Sequence, residues 1–143
     1  MADKITEERR SWNMSRIRSK DMKPEMVVRR LVHAMGYRYR LHRKDLPGKP
    51  DLVFGPRRKV IFAHGCFWHQ HSDPACKIAR IPKSKLEYWE PKLARNTERD
   101  RQRQVELKRQ GWKVLVVWEC ETKQKSLDNL SAKIRDFLED LEQ

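Results

Sequence analysis

Two apolar runs, Lys59–Ala63 (KVIFA) and Trp112–Glu119 (WKVLVVWE), constrain the fold of this chain more than any other feature. Both are rich in β-branched residues and read as strands, and the stretch between them contains helical patterning and no third strand of that kind. A strand–helix–strand order places the two strands parallel, joined by a right-handed crossover. The second run is the most apolar in the chain and predicts a buried central strand. Asp51–Phe54, joined to Lys59 by Gly55-Pro56-Arg57-Arg58, completes a hairpin with the first run. Upstream, Pro24 and Glu25 open a helix with apolar Met26, Val27, Leu31 and Met35, and Gly36 stops it. Tyr37, Tyr39 and Leu41 alternate with charged residues, the period of a half-buried strand. Within the crossover, Ser84 and Glu87 have capping-box spacing, Pro91 is expected to kink or interrupt the helix, and Asn96–Gln110 forms a second charged helix. From Ser126 onward, Leu127, Leu130, Ile134, Phe137, Leu138 and Leu141 mark a terminal amphipathic helix. The expected fold is α/β (α+β): a single domain with a mixed central β-sheet flanked by helices. Residues 1–20 form a basic arm and residues 21–143 the folded body.

With 143 residues there is room for one real core and little else. Charged residues make up 37% and hydrophobic ones 38%, a balance suited to a globular body with a heavily solvated surface. The net charge of +13 favours a polyanion, nucleic acid above all, because each neutralised phosphate releases counterions. The arm concentrates part of that charge in Arg16, Arg18 and Lys20, placed to meet phosphates. No apolar run approaches the roughly 18 residues of a membrane span. The start, MADKITEERRSW, lacks the apolar segment of a secretory signal, so a cytoplasmic location is expected. Three cysteines, an odd number, point to metal binding or free thiols and not to a disulfide scaffold.

The strand at Lys59 runs directly into HGCFWHQH, which crowds a thiol, three imidazoles and two large aromatics. Cys66, His71 and Cys76 stand with four residues between neighbours, and Cys120 ends the apolar strand that should lie beside Lys59–Ala63. Three thiolates and an imidazole make a closed tetrahedral set for structural zinc. Such a site contributes about 10–16 kcal/mol apparent in small peptides, enough to order a loop that buries little else. The competing reading makes Cys120 a small core residue and Cys66 and Cys76 free thiols.

Cleavage of a phosphodiester calls for hard oxygen ligands around a divalent cation and a base for water. Asp51, at the start of its strand after Pro50, suits the first need, with Glu25 as a second carboxylate that can equally answer the helix dipole. His64 and His69, flanking Cys66, suit the second. Singly, each histidine reads as a solvated loop residue; together with Asp51 they read as a site. Of the consecutive Phe67 and Trp68, one is expected to pack inward and the other to meet solvent or a partner, where an aromatic ring can wedge between base steps.

The segments NMSRIRSKDMKPE, PGKPDLVF, VIFAHGCFWHQH, ERD at Glu98–Asp100 and GWKVLVVWEC, spread from Trp12 to Cys120, closely resemble the very-short-patch repair (Vsr) mismatch endonucleases. The resemblance implies a fold related to PD-(D/E)xK nucleases and an endonuclease domain over residues 21–143. It implies nicking of one strand 5′ to the thymine of a T:G mismatch, which initiates repair of deaminated 5-methylcytosine. By the same resemblance Asp51 is the main magnesium ligand with the backbone carbonyl of Ala63, and His69 is the general base, supported by His64, Glu25 and Asp100. Cys66, His71, Cys76 and Cys120 match the zinc ligands, and Phe67, Trp68 and Met14 match the wedge beside the mismatch. Two departures stand out: the family pattern has Thr where this chain has Ala63, and the segment from His71 to Cys76 is longer, making Asp73 an outside candidate ligand. One such constellation predicts a monomer that cuts a single strand of double-stranded DNA; repair-protein partners follow from family analogy alone. A mismatch-binding protein that does not cut, and a restriction-like nuclease acting on fully paired DNA, are the alternative readings.

Overall fold

The computed structural model describes residue 8 and residues 22–139. The arm of residues 1–20, with Met14, Arg16, Arg18 and Lys20, therefore lies outside the described residues apart from Glu8, as does Leu141.

Helix α1 spans Pro24–Ala34, with Pro24 in its first turn, where a missing N–H costs nothing, and Glu25 beside the positive end of the dipole. Its apolar stripe, Val27, Val28, Leu31 and Val32, is buried. Four strands follow in the spatial order β1-β2-β3-β4: β1 (Arg40–Leu41), β2 (Leu52–Phe54), β3 (Lys59–His64) and β4 (Lys113–Trp118). β1–β2 and β2–β3 pair antiparallel, and β3–β4 pair parallel through all six residues of each strand. The crossover between them is helix α2, Leu86–Arg109, and the chain returns over the sheet as α3, Leu127–Glu139.

Alternation along the strands divides the core into two layers. Leu52, Phe54, Ile61 and Val117 face α1 and α3, where they meet Leu31, Leu130, Ile134 and Leu138. Val53, Val60 and Phe62 face the other way, against Leu46, Leu107 and Trp112. Helices thus cover both faces of a mixed sheet, and each aliphatic side chain buried in these layers contributes about 1.5–3 kcal/mol relative to exposure.

The expectations for the helix at Pro24, the hairpin, the parallel crossover and the terminal helix hold. Four details differ. β4 is an edge strand among the described residues, and β3 is interior, between β2 and β4. β2 already occupies one side of β3, so the crossover must land on its other side, and β4 has no outer partner among the described residues. Its apolarity serves the two helical layers instead, Val114 and Val116 on one face and Leu115 and Val117 on the other. Trp112 is buried just before the strand and Glu119 begins a 3-10 turn after it. Second, α2 runs unbroken through Pro91, which sits exposed near the helix start, so water can reach the carbonyl it leaves unpaired. Third, Ser84 lies in a 3-10 turn ahead of α2 and makes no capping bond. Fourth, Tyr37 and Tyr39 are not in β1: their hydroxyls donate to Glu139 of α3 (2.5 Å) and to the Arg29 carbonyl of α1 (3.2 Å), so the tyrosines dock on helices.

Candidate active site and metal centre

Sheet register creates the site. β3 runs past the start of β2, so Ala63 has no β2 backbone partner; its N–H instead receives the Asp51 carboxylate, with Oδ2 accepting at 2.7 Å. A residue in an extended strand directs its N–H and C=O to the same edge, so the Ala63 carbonyl shares the side of β3 that Asp51 occupies. Burial raises the Asp51 carboxyl above the usual range; the Ala63 amide opposes that, and neighbouring Glu25 reinforces it.

His64 ends β3 and His69 lies one turn into the following loop. Their rings stack, centroids 3.8 Å apart and 7° from parallel. Burial, with His69 beside it, pushes the His64 imidazole down to about 4, so it stays neutral near pH 7. Asp100, from the middle of α2, approaches His69 Nδ1 through Oδ2 at 2.5 Å. That contact fixes the ring and leaves Nε2 as the nitrogen available for chemistry. Asp51, Ala63, His64, His69 and Asp100 line one cleft of about 180 Å³, with Lys49 and Arg103 among its other walls. Glu25 reaches this group through His42, whose Nε2 lies 3.0 Å from Glu25 Oε2 and 3.6 Å from Asp51 Oδ1.

A second cluster lies beyond the end of the sheet. Ligand atoms of Cys66, His71, Cys76 and Cys120 all fall within 4.8 Å of one another, and the three cysteines are free. His71 Nδ1 is 3.8 Å from Cys66 Sγ and 3.5 Å from Cys120 Sγ. Tetrahedral zinc with ordinary Zn–S and Zn–N bonds requires about 3.6 Å between such donors. Burial pushes the fully buried Cys66 thiol up to about 12 and also raises Cys120, so thiolates there need a cation to offset them. The Cys120 amide already donates to Cys66 Sγ at 3.4 Å, and His71 stacks on Trp118 at 4.4 Å, holding two ligands in place. These donors fit zinc. Asp73 is not among them: its Oδ1 accepts the Ala75 amide and its carbonyl accepts the Cys76 amide, forming the turn that carries Cys76 inward.

The adjacent aromatics divide as expected, Phe67 half-buried and Trp68 49% exposed. Phe67 does not enter the main core, however. It joins a surface cluster with Trp89 of α2, centroids 5.1 Å apart, and Trp89 also meets Trp68 (5.6 Å) and Tyr88 (4.9 Å).

Sequence reasoning passed over His42, Lys49, Trp89 and Arg103. Trp89 lay in a charged helical stretch and nothing local links it to Phe67. His42 was absorbed into the alternation of its strand; only the β1–β2 register, which sets position 42 against 51, would have revealed it.

An oriented imidazole, a half-buried carboxylate and a main-chain oxygen meet at strand ends in an arrangement suited to hydrolysis, and the separate thiol–imidazole cluster beside them could hold a metal that braces the loop. Residues 2–75, which carry Asp51, His64, His69 and His71, match the family model described as DNA mismatch endonuclease Vsr. The chain belongs to that family. It is 50% identical over 139 residues to the type II nicking enzyme V.XorIIP of Xanthomonas oryzae, covering 97% of this chain and 98% of the relative. The type II nicking enzyme V.NmeAIP of Neisseria meningitidis is 43% identical over 139 residues, covering 96% of this chain and 97% of its own. The DNA mismatch endonuclease Vsr of Escherichia coli is 41% identical over 120 residues, covering 84% of this chain and 75% of its own. No helix among the described residues is long and apolar enough to cross a membrane.

Proposed function

We propose that this protein is a magnesium-dependent endonuclease that nicks one strand of duplex DNA 5′ to the thymine of a T:G mismatch. The observation that carries the reading is the convergence of Asp51, Ala63, His64 and the His69–Asp100 pair on one cleft, in a chain of net charge +13. Relatives named as nicking enzymes and as a DNA mismatch endonuclease support the choice of reaction. A mixed sheet with Pro50–Asp51 leading into β2 supports kinship with PD-(D/E)xK nucleases, although Phe62-Ala63-His64 stands at the end of β3 with no acidic-x-lysine triplet.

Asp51 Oδ1 and the Ala63 carbonyl are the oxygen donors that would hold a divalent cation, whose role is to stabilise charge on the scissile phosphate and its leaving oxygen. The protein's own contribution is proton handling and placement. His69 Nε2 takes a proton from the attacking water as the new P–O bond forms in line with the bond that breaks. Asp100 stabilises the imidazolium so produced, in the orienting role that a carboxylate plays for a catalytic histidine. His64, neutral and stacked on His69, restrains rotation of its ring. The leaving oxygen takes its proton from solvent at the open side.

Cys66, His71, Cys76 and Cys120 would hold zinc as scaffold, fixing the loop that presents His69, Phe67 and Trp68 together. The Trp68–Trp89–Phe67 cluster suits insertion beside a mispaired base, where unstacking costs least. A panel of end-labelled duplexes, identical except for one T:G, one A:T or one G:C pair, tests the specificity. Nicking of the thymine strand of the T:G duplex alone is expected; equal cleavage of all three removes mismatch recognition from the reading.

A further inference from the structure

The Glu25–His42–Asp51 group extends the cleft in a direction that the proposed reaction leaves unused. His42 lies directly beyond β1, and its N–H donates to the Asp51 carbonyl at 3.2 Å, continuing the β1–β2 ladder so that the two side chains are cross-strand neighbours. Its φ of 48° is in the left-handed region, which disfavours a residue with a Cβ, though histidine is among those that tolerate it better. The conformation turns Nε2 of an imidazole that is 48% exposed toward two carboxylates. Each carboxylate has an oxygen facing the ring: Glu25 Oε2 at 3.0 Å and Asp51 Oδ1 at 3.6 Å from Nε2. Asp51 Oδ2 is already committed to the Ala63 amide, so Oδ1 is the oxygen with capacity to spare. One donor atom from each of the three residues lies within 4.8 Å of the others. Neighbouring ligands around an octahedral first-row cation, at bond lengths near 2.1 Å, stand about 3.0 Å apart, which the tighter contact already matches.

We propose that His42 is a nitrogen ligand of the divalent-cation site, making a mixed carboxylate–imidazole–carboxylate set that takes magnesium and binds first-row transition ions, manganese among them, more tightly. Magnesium is served by oxygen donors and water, whereas an imidazole adds affinity for ions further along the first transition series. The use of the captured cation in DNA cleavage rests on the function proposed above. Its capture does not, and it is measurable without DNA.

The test is Mn²⁺ titration of the full chain, followed by the fall of the free aqueous Mn²⁺ resonance, with pulsed electron paramagnetic resonance to detect nitrogen on the ion. His42→Asn is the informative variant, because asparagine tolerates the left-handed backbone but is too short to keep Nε2 in place. Circular dichroism checks its fold, and ¹⁵N-histidine labelling of the parent chain provides a signature independent of any substitution. The parent should show histidine-nitrogen coupling, and the variant should lose it and bind Mn²⁺ about tenfold more weakly while Mg²⁺ affinity changes far less. Unchanged Mn²⁺ affinity with coupling retained, or tighter binding of both ions by the variant, would show that His42 is not a ligand and overturn the proposal. A parent chain that binds Mn²⁺ through His42 but nicks no duplex would leave the ligand assignment standing and remove the endonuclease reading.

Discussion

The Asp51 carboxylate and the Ala63 amide are hydrogen-bonded at 2.7 Å across the point where β3 continues past the start of β2. One oxygen of the candidate metal ligand is therefore structural and the other is free for chemistry. Asp51→Asn, which can still accept from Ala63 through its amide oxygen, should fold normally and retain DNA binding while nicking falls by at least a hundredfold. Asp51→Ala should lose nicking equally and also lose about 1–3 kcal/mol of stability, because a half-buried N–H is left unpaired. Urea denaturation of both variants beside the nicking assay separates the two contributions.

Asp100 orients His69 from α2, the helix that also supplies Arg103 to the cleft wall. Asp100→Asn should lower kcat by about 10- to 1000-fold with little change in KM for DNA, since it removes proton-transfer support rather than contacts with the substrate. An equal rise in KM with kcat unchanged would move Asp100 from the proton-transfer machinery to DNA binding.

The thiol–imidazole cluster carries a stability prediction. Removing the ion with a strong chelator, or replacing Cys120 with Ser, should release the segment from Gly65 to Pro82, which contributes only Cys66 to the buried apolar residues. Hydrogen exchange in that segment should accelerate while β2, β3 and α3 stay protected, and metal analysis should return one zinc per untreated chain. Uniform protection with and without chelator would contradict a scaffold role.

Gly48 faces the cleft with φ of 77°, and a Cβ there would come within 3.1 Å of Arg103 Cδ and 3.3 Å of Phe62. Gly48→Ala should cost about 1–2 kcal/mol from the left-handed backbone alone. It should also displace Arg103 from the cleft wall. A melting temperature equal to that of the parent chain would show that this turn relaxes freely.

How much of this was legible beforehand varied with the range of the interactions. Pro24, Glu25 and the stripe Val27–Leu31 define α1 through local chemistry, and the two apolar runs defined the parallel pair. Cys66, His71 and Cys76 were readable because they share one loop, and Cys120 because the parallel register sets its strand end beside theirs. The position of β4 was misread because apolarity reports packing of the faces, not occupation of the edges: its faces pack on both layers, yet as an edge strand it is mostly half-buried, with Val117 alone of its six residues buried. Pro91 was misread because a helix tolerates proline on an exposed face near its start. His42 and Trp89 depend on register and on packing between α2 and the loop after β3, and no pattern along the chain encodes either.

The central claim, that the cleft between Asp51 and His69 is where a phosphodiester is broken, is tested most directly by strand-specific nicking of a labelled T:G duplex, with DNA binding measured on the same preparations. The parent chain should cut the thymine strand with Mg²⁺ and stop when a chelator is added, and Asp51→Asn and His69→Ala should bind the duplex without cutting it. Undiminished nicking by either variant would contradict the account.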